Sequence, residues 1–229
     1  MRVLMLTACF LSCTCISALS ETSVVFPDGS GDFPTIQSAI DAAIDGDVIA
    51  LTDGTFTGDG NRDIDYRGKA ITVESQGGNP EACVIDCEGS ETDPHCGFHF
   101  RKGEQVESVL SGVTVRGGWA VFPDFGGAVR CEGGCSPSIE SCIFSGNVGS
   151  AVGCEMGTFL PLSGCRFTGN QGACGAAIYA DRSALTIDQC QFIANETDGD
   201  GGAIFAYGTL AKIMHSAFIG NTSHSAAAA

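Results

Sequence analysis

Ile139-Glu-Ser-Cys142-Ile-Phe144-Ser-Gly-Asn147 is the first of four copies of one phrase. It returns as Leu162-Ser-Gly-Cys165-Arg-Phe167-Thr-Gly-Asn170, Ile187-Asp-Gln-Cys190-Gln-Phe192-Ile-Ala-Asn195 and Ile213-Met-His-Ser216-Ala-Phe218-Ile-Gly-Asn221. The phenylalanines stand 23, 25 and 26 residues apart. A self-similar period of this length, built from β-branched and aromatic residues with glycine between, marks a solenoid. Residues two apart on a strand share a face, so Cys142 and Phe144 point the same way. Ile139 lies three before Cys142, so both face inward only if a bend intervenes, at Glu140-Ser141 and its equivalents. A second recurring phrase supplies a third strand: Gly126-Gly-Ala-Val129, Gly149-Ser-Ala-Val152, Gly175-Ala-Ala-Ile178 and Gly201-Gly-Ala-Ile204. Three short strands per coil of about two dozen residues describe a parallel β-helix, whose coils pair at roughly 4.8 Å. Phe144, Phe167, Phe192 and Phe218 then stack inside. Asn147, Asn170, Asn195 and Asn221 stack at a turn, where asparagine tolerates left-handed backbone and its amide can bond along the ladder.

Working outward, Leu110-x-x-Val113-x-Val115-x-x-Gly118 is the same phrase without Cys, Phe or Asn, and strands are expected at 70–74, 83–87, 98–100 and 109–110. That makes about six or seven coils, beginning with the strand Asp47–Leu51. Before it, Ile36, Ile40, Ala43 and Ile44 recur at helical spacing, with Thr35 placed to cap the N-terminus. This predicts a short helix over 33–44 that covers the open end of the first coil. Residues 1–20, with Arg2 before an apolar run and Ala18-Leu-Ser20 at its end, read as a secretory signal peptide. The β-helix domain is expected over 21–221, followed by a short tail, 222–229. That tail is unable to cover the last coil, which implies further coils or end-to-end association of two molecules.

The chain carries 27 acidic against 11 basic residues, a net charge of −16, which argues against nucleic acid as a partner. No apolar segment is long enough to span a bilayer as a helix. Ten of the 13 cysteines follow the leader, an even number that raises the expectation of disulfides in an exported chain. Cys142, Cys165 and Cys190 form one interior row. Stacked parallel strands aim their side chains alike, so at most one bond is expected within it.

The order Asp28-Gly-Ser-Gly-Asp-Phe-x-Thr-Ile-Gln-x-Ala-Ile-Asp-Ala-Ala43 resembles the start of pectin-lyase-like proteins, pectinesterases among them. The Gly-Gly-Ala-Ile and Phe-x-x-Asn phrases resemble the repeats of polymorphic outer membrane proteins, which are secreted β-helix adhesins. Together these resemblances imply an all-β, right-handed parallel β-helix and a secreted or cell-surface location. They leave activity open, because one fold hosts lyases, hydrolases, esterases and adhesins. The motifs that the enzymes of this group require are missing: there is no Gly-His-Gly and no Arg-x-Pro-x-x-Arg, and Asp124-Phe125-Gly126 echoes only one of the three pectinesterase elements.

If Val129, Val152, Ile178 and Ile204 face inward, Arg130, Gly153, Tyr179 and Phe205 form an outward row. There the aromatic rings would stack on the apolar faces of sugars, and Arg130 would attract a carboxylate. The expectation is a non-catalytic surface protein that binds polysaccharide or a cell-surface glycan. A polysaccharide lyase, hydrolase or esterase with an unrecognised site is the alternative, to be told apart by outward carboxylates with Lys or Arg on one strand face. Asp198 and Asp200, in an acidic turn, are candidate Ca²⁺ ligands.

Overall fold

The computed structural model describes residues 20–121 and 125–225. Residues 1–19 of the proposed leader and the last four residues lie outside them, as does Asp124. Among the described residues the chain winds through three parallel sheets in rotation. The first has eight strands, Thr22–Val25, Val48–Leu51, Thr72–Ser75, Val109–Ser111, Ser138–Glu140, Phe159–Ser163, Ala184–Asp188 and Leu210–Met214. The second has seven strands, from Gly54–Phe56 to Ala217–Ile219, and the third six, from Ile64–Asp65 to Ile204–Tyr207. A narrow fourth sheet of three two-residue strands follows the asparagine turns. The winding makes about eight turns rather than six or seven. The strand Thr22–Val25, paired residue for residue with Val48–Leu51, adds the turn that the repeat pattern does not announce.

The register obeys the repeat. Phe144 pairs with Phe167, Phe167 with Phe192 and Phe192 with Phe218. The four rings form one column, with centroids 5.0, 4.9 and 4.6 Å apart. Ser141, Gly164, Gln189 and His215 take the bend between first and second sheets, all with positive φ. The cysteine after each bend locks it. Cys142 Sγ donates to the Glu140 carbonyl at 3.2 Å, Cys165 Sγ to Ser163 at 3.4 Å and Cys190 Sγ to Asp188 at 3.3 Å. Ser216 makes the same bond to Met214 with its hydroxyl, at 2.7 Å. This is why serine replaces cysteine in the fourth copy: the position needs a small donor that reaches back two residues. All ten described cysteines are free thiols, so the expectation of disulfides is not met.

The helix at the amino-terminal end is shorter than expected, Ile36–Ala42, with Ile36, Ala39 and Ile40 buried. Thr35 and Ser38 form a reciprocal capping box, and Asn61 Oδ1 accepts from the Ile36 N–H. At the other end Lys69 Nζ donates to the carbonyls of Ile40, Asp41 and Ala43 at 2.7–2.9 Å, placing an ammonium where the helix dipole is negative. The opposite end of the described solenoid is open. Phe218 is 49% exposed and Ile213 43%, whereas their counterparts Phe192 and Ile187 are wholly buried.

Candidate functional site

The outer face of the third sheet gathers the chemistry. Its pairing aligns Asp65 with His99, His99 with Arg130, Arg130 with Gly153, Gly153 with Tyr179 and Tyr179 with Phe205. The expected row of Arg130, Tyr179 and Phe205 is therefore real, and it extends two coils further than expected. Val129, Val152 and Ile178 point inward and are fully buried; Ile204, in the last coil, is partly exposed.

The row is not continuous. The loop after Trp119 returns across it at Gly153, where a Cβ would stand 2.6 Å from the Phe125 carbonyl carbon and oxygen. Only glycine admits that crossing. Phe125 then lies on Tyr179, with ring centroids 3.6 Å apart and planes 7° apart, and Tyr179 stacks on Phe205 at 5.5 Å and 11°. Phe125 is the site residue that the repeat pattern misses, because it lies in a loop outside the repeat. The crossing divides the face into an aromatic half, Phe125–Tyr179–Phe205, and a charged half around Arg130.

In the charged half Asp65 is nearly buried and heavily bonded. Its Oδ1 accepts from the Arg67 N–H at 2.7 Å, and its Oδ2 contacts Arg101 Nη2 and Lys102 Nζ at 3.1 Å each. Burial works against ionisation, but the Arg67 N–H and the Lys102 and Arg101 side chains outweigh it and hold the carboxyl below its usual pKa. Glu132 is shared by Arg130 and by His99, whose Nε2 lies 3.3 Å from Glu132 Oε1. Burial, opposed by Glu132 and assisted by Arg101 and Arg130, depresses the His99 pKa. Carboxylates and cations thus do share one strand face, the arrangement that the linear sequence hides. Aligning Phe98-His99-Phe100 with Val129-Arg130-Cys131 is the signal that would have placed His99 in the row.

Asp198 lines a separate cleft of about 350 Å³ beside the fourth sheet, with Gln171, Glu196 and Phe125. Asp200 is not part of that lining. Among the described residues no group of three or more His, Cys, Asp or Glu side chains is placed to hold a metal ion. Asn195, formally in a glycosylation sequon, is fully buried in the ladder.

No helix among the described residues is long and apolar enough to cross a membrane. No curated protein and no solved structure gives a significant match to the chain. The model of one family, described as the right handed beta helix region, matches residues 48–223, which spans every strand from Val48 to Ser223. The chain belongs to the right-handed β-helix family.

Proposed function

We propose that this is an exported β-helix protein that binds an acidic polysaccharide along the outer face of the third sheet without cleaving it. The observation that carries the reading is the Phe125–Tyr179–Phe205 stack, two rings of the outward row that holds Arg130 with a loop ring laid near-parallel on them. Phe125 and Phe205 cover the faces of Tyr179, so the stack offers a sugar ring its edges and the face of Phe205 turned away from Tyr179, and a chain lying along the solenoid axis meets one outward residue per coil. The apolar run behind Arg2 supports export, and with it a secreted or cell-surface location. The test is a panel of neutral and acidic polysaccharides. Tyr179→Ala with Phe205→Ala should abolish binding and leave the melting temperature close to that of the parent, since neither ring belongs to the core. Undiminished binding by that variant would remove this face from consideration.

A second reading, cleavage of the polysaccharide, is favoured by one observation: Asp65 and Glu132 share the outer face with Arg101, Lys102 and Arg130. The same panel decides it. New reducing ends or unsaturated products released by the parent protein would make it an enzyme, and intact polymer after prolonged incubation would not.

A further inference from the structure

We propose that the exported protein begins at Glu21, and that the Asp47 carboxylate is the seat of the α-ammonium group that cleavage creates there, so that removal of the leader fastens the first turn of the solenoid. The inference rests on the export part of the reading above. It adds the position of the cut and a binding site for the new chain end.

The sequence supplies the position. Ala18 and Ser20 are small residues standing third and first before the Ser20–Glu21 bond, the pattern of a leader cleavage site. The fold supplies the site. Both backbone groups of Glu21 are held: its N–H donates to Asp47 Oδ1 at 2.9 Å, and its carbonyl accepts from the Val48 N–H at 2.9 Å. The strand Thr22–Val25 follows at once and pairs residue for residue with Val48–Leu51. Ser20 is exposed and stands outside the ladder.

Asp47 is positioned before any ammonium reaches it. Its Oδ2 accepts from the Ile44 N–H at 2.8 Å, just past the end of the helix. The Glu21 and Ile44 N–H groups hold its carboxyl below the usual pKa and outweigh desolvation, so it is an anion at neutral pH. Lys69, the cation that also favours this charge, is committed elsewhere, its Nζ donating to the carbonyls of Ile40, Asp41 and Ala43. No ion pair among the described residues includes Asp47. The neighbouring Asp45 carboxylate is taken by a backbone donor, the Ala70 N–H at 2.9 Å. Between Asp45, Asp47 and Lys69 the corner is one positive charge short, and the new chain end provides it.

The cut is a hydrolysis by a leader peptidase. Water adds across the Ser20–Glu21 amide: its hydroxyl goes to the Ser20 carbonyl carbon and its hydrogen to the Glu21 nitrogen. At neutral pH the acid so formed gives up its proton and the amine takes one, leaving a carboxylate on the released leader and an ammonium on Glu21. That nitrogen already stands 2.9 Å from Asp47 Oδ1, within the range of a charge-assisted hydrogen bond. An amide contact thus becomes an ion pair without movement of either residue.

The full chain is produced with its leader in an exporting host, and the first residue of the recovered protein is read by mass spectrometry. Glu21 is expected. A second chain, made without export to begin at Ser20 behind the initiator methionine, keeps an amide at Glu21. Its denaturant midpoint should lie below that of the exported protein, and the gap should close when both carry Asp47→Asn. At about 1 M salt, where the Debye length is about 3 Å, the gap between the two unsubstituted chains should also shrink, which decides the matter if Asp47→Asn does not fold. The α-amine of the exported protein should react with an acylating reagent at neutral pH several times more slowly than that of its Asp47→Asn variant. A chain that stays inside the host, or leaves it with the leader attached, removes the export reading together with the proposal. A first residue other than Glu21, no midpoint gap, a gap that ignores both Asp47→Asn and salt, or equal acylation rates overturns the proposal and leaves the export reading standing.

Discussion

Asn147 is forked onto Asn170: its backbone N–H and its side-chain Nδ2 both donate to Asn170 Oδ1, each at 3.0 Å. Asn170 repeats the fork onto Asn195 at 3.1 and 2.9 Å, and Asn195 onto Asn221 at 3.0 and 2.8 Å. The second amide hydrogen of Asn170 goes to the Phe144 carbonyl at 3.0 Å. Asn170→Ala removes the acceptor of two buried donors and the donor of one buried carbonyl. A loss of about 2–4 kcal/mol is expected, read as a lower denaturant midpoint at unchanged slope. A loss below about 1 kcal/mol would show that water replaces the rung.

Gly153 and Phe125 are mutually dependent in the same local way. Gly153→Val puts a branched side chain where the Phe125 backbone passes, so the loop must lift while the strand keeps its pairing. Limited proteolysis should then cut between Gly117 and Gly127 at least several times faster than in the parent, with destabilisation of about 1–3 kcal/mol. Equal cleavage rates would mean that the crossing does not depend on a bare backbone at this position.

The cysteine row should stay reduced. Burial, the largest influence, pushes the Cys142 thiol up to about 12, so at pH 8 the folded protein should react with alkylating reagents far more slowly there than in denaturant. After unfolding without reductant, Cys142, Cys165 and Cys190 should each carry the alkyl label in mass mapping. Cys165→Ser should be tolerated better than Cys165→Ala by about 1 kcal/mol, because a hydroxyl keeps the bond to Ser163 that Ser216 already models with Met214. Disulfide-linked peptides from this row, or equal stability of the two variants, would contradict the corner-locking role.

His99 gives a pH dependence with a definite sign. Its folded pKa is depressed, burial being the main cause, so between the unfolded value near 6.5 and the lower folded value the unfolded chain holds more protons. The stability it contributes is fully present above about pH 6.5 and is lost as pH falls through the folded pKa. His99→Gln should therefore flatten the fall of melting temperature between about pH 7 and pH 5, compared with the parent. Parallel curves would place the titration elsewhere.

The regular half of the molecule was legible because inward and outward alternate strictly. Once Phe144 and Asn147 were phased, Arg130, Tyr179 and Phe205 had to share a row. The earlier coils were harder to count, since Val113, Val115 and Gly118 carry neither ring nor amide to phase them and Thr22–Val25 carries no repeat at all. The charged half escaped for a related reason. Asp65, His99 and Arg130 belong to successive coils whose intervening loops differ in length, so their convergence is set by pairing register and leaves no fixed spacing. Phe125 escaped because its position follows from a missing side chain 28 residues later, at Gly153.

The stacked coils also make the protein directional. Each coil touches only its neighbours, so opening can travel along the axis one rung at a time. At one end Lys69, Thr35 and Asn61 clamp the helix to the first turns; at the other, Phe218 and Asn221 hold a coil whose interior is half in water. Thermal fluctuation therefore works like a zipper with a fixed stop at the helix, and with a second stop only where something covers the ring of Phe218. In this chain with the Phe218 coil uncovered, amide protection should rise stepwise from that coil toward the Phe144 coil, whereas a further coil or a second molecule stacked on Phe218 should level the gradient.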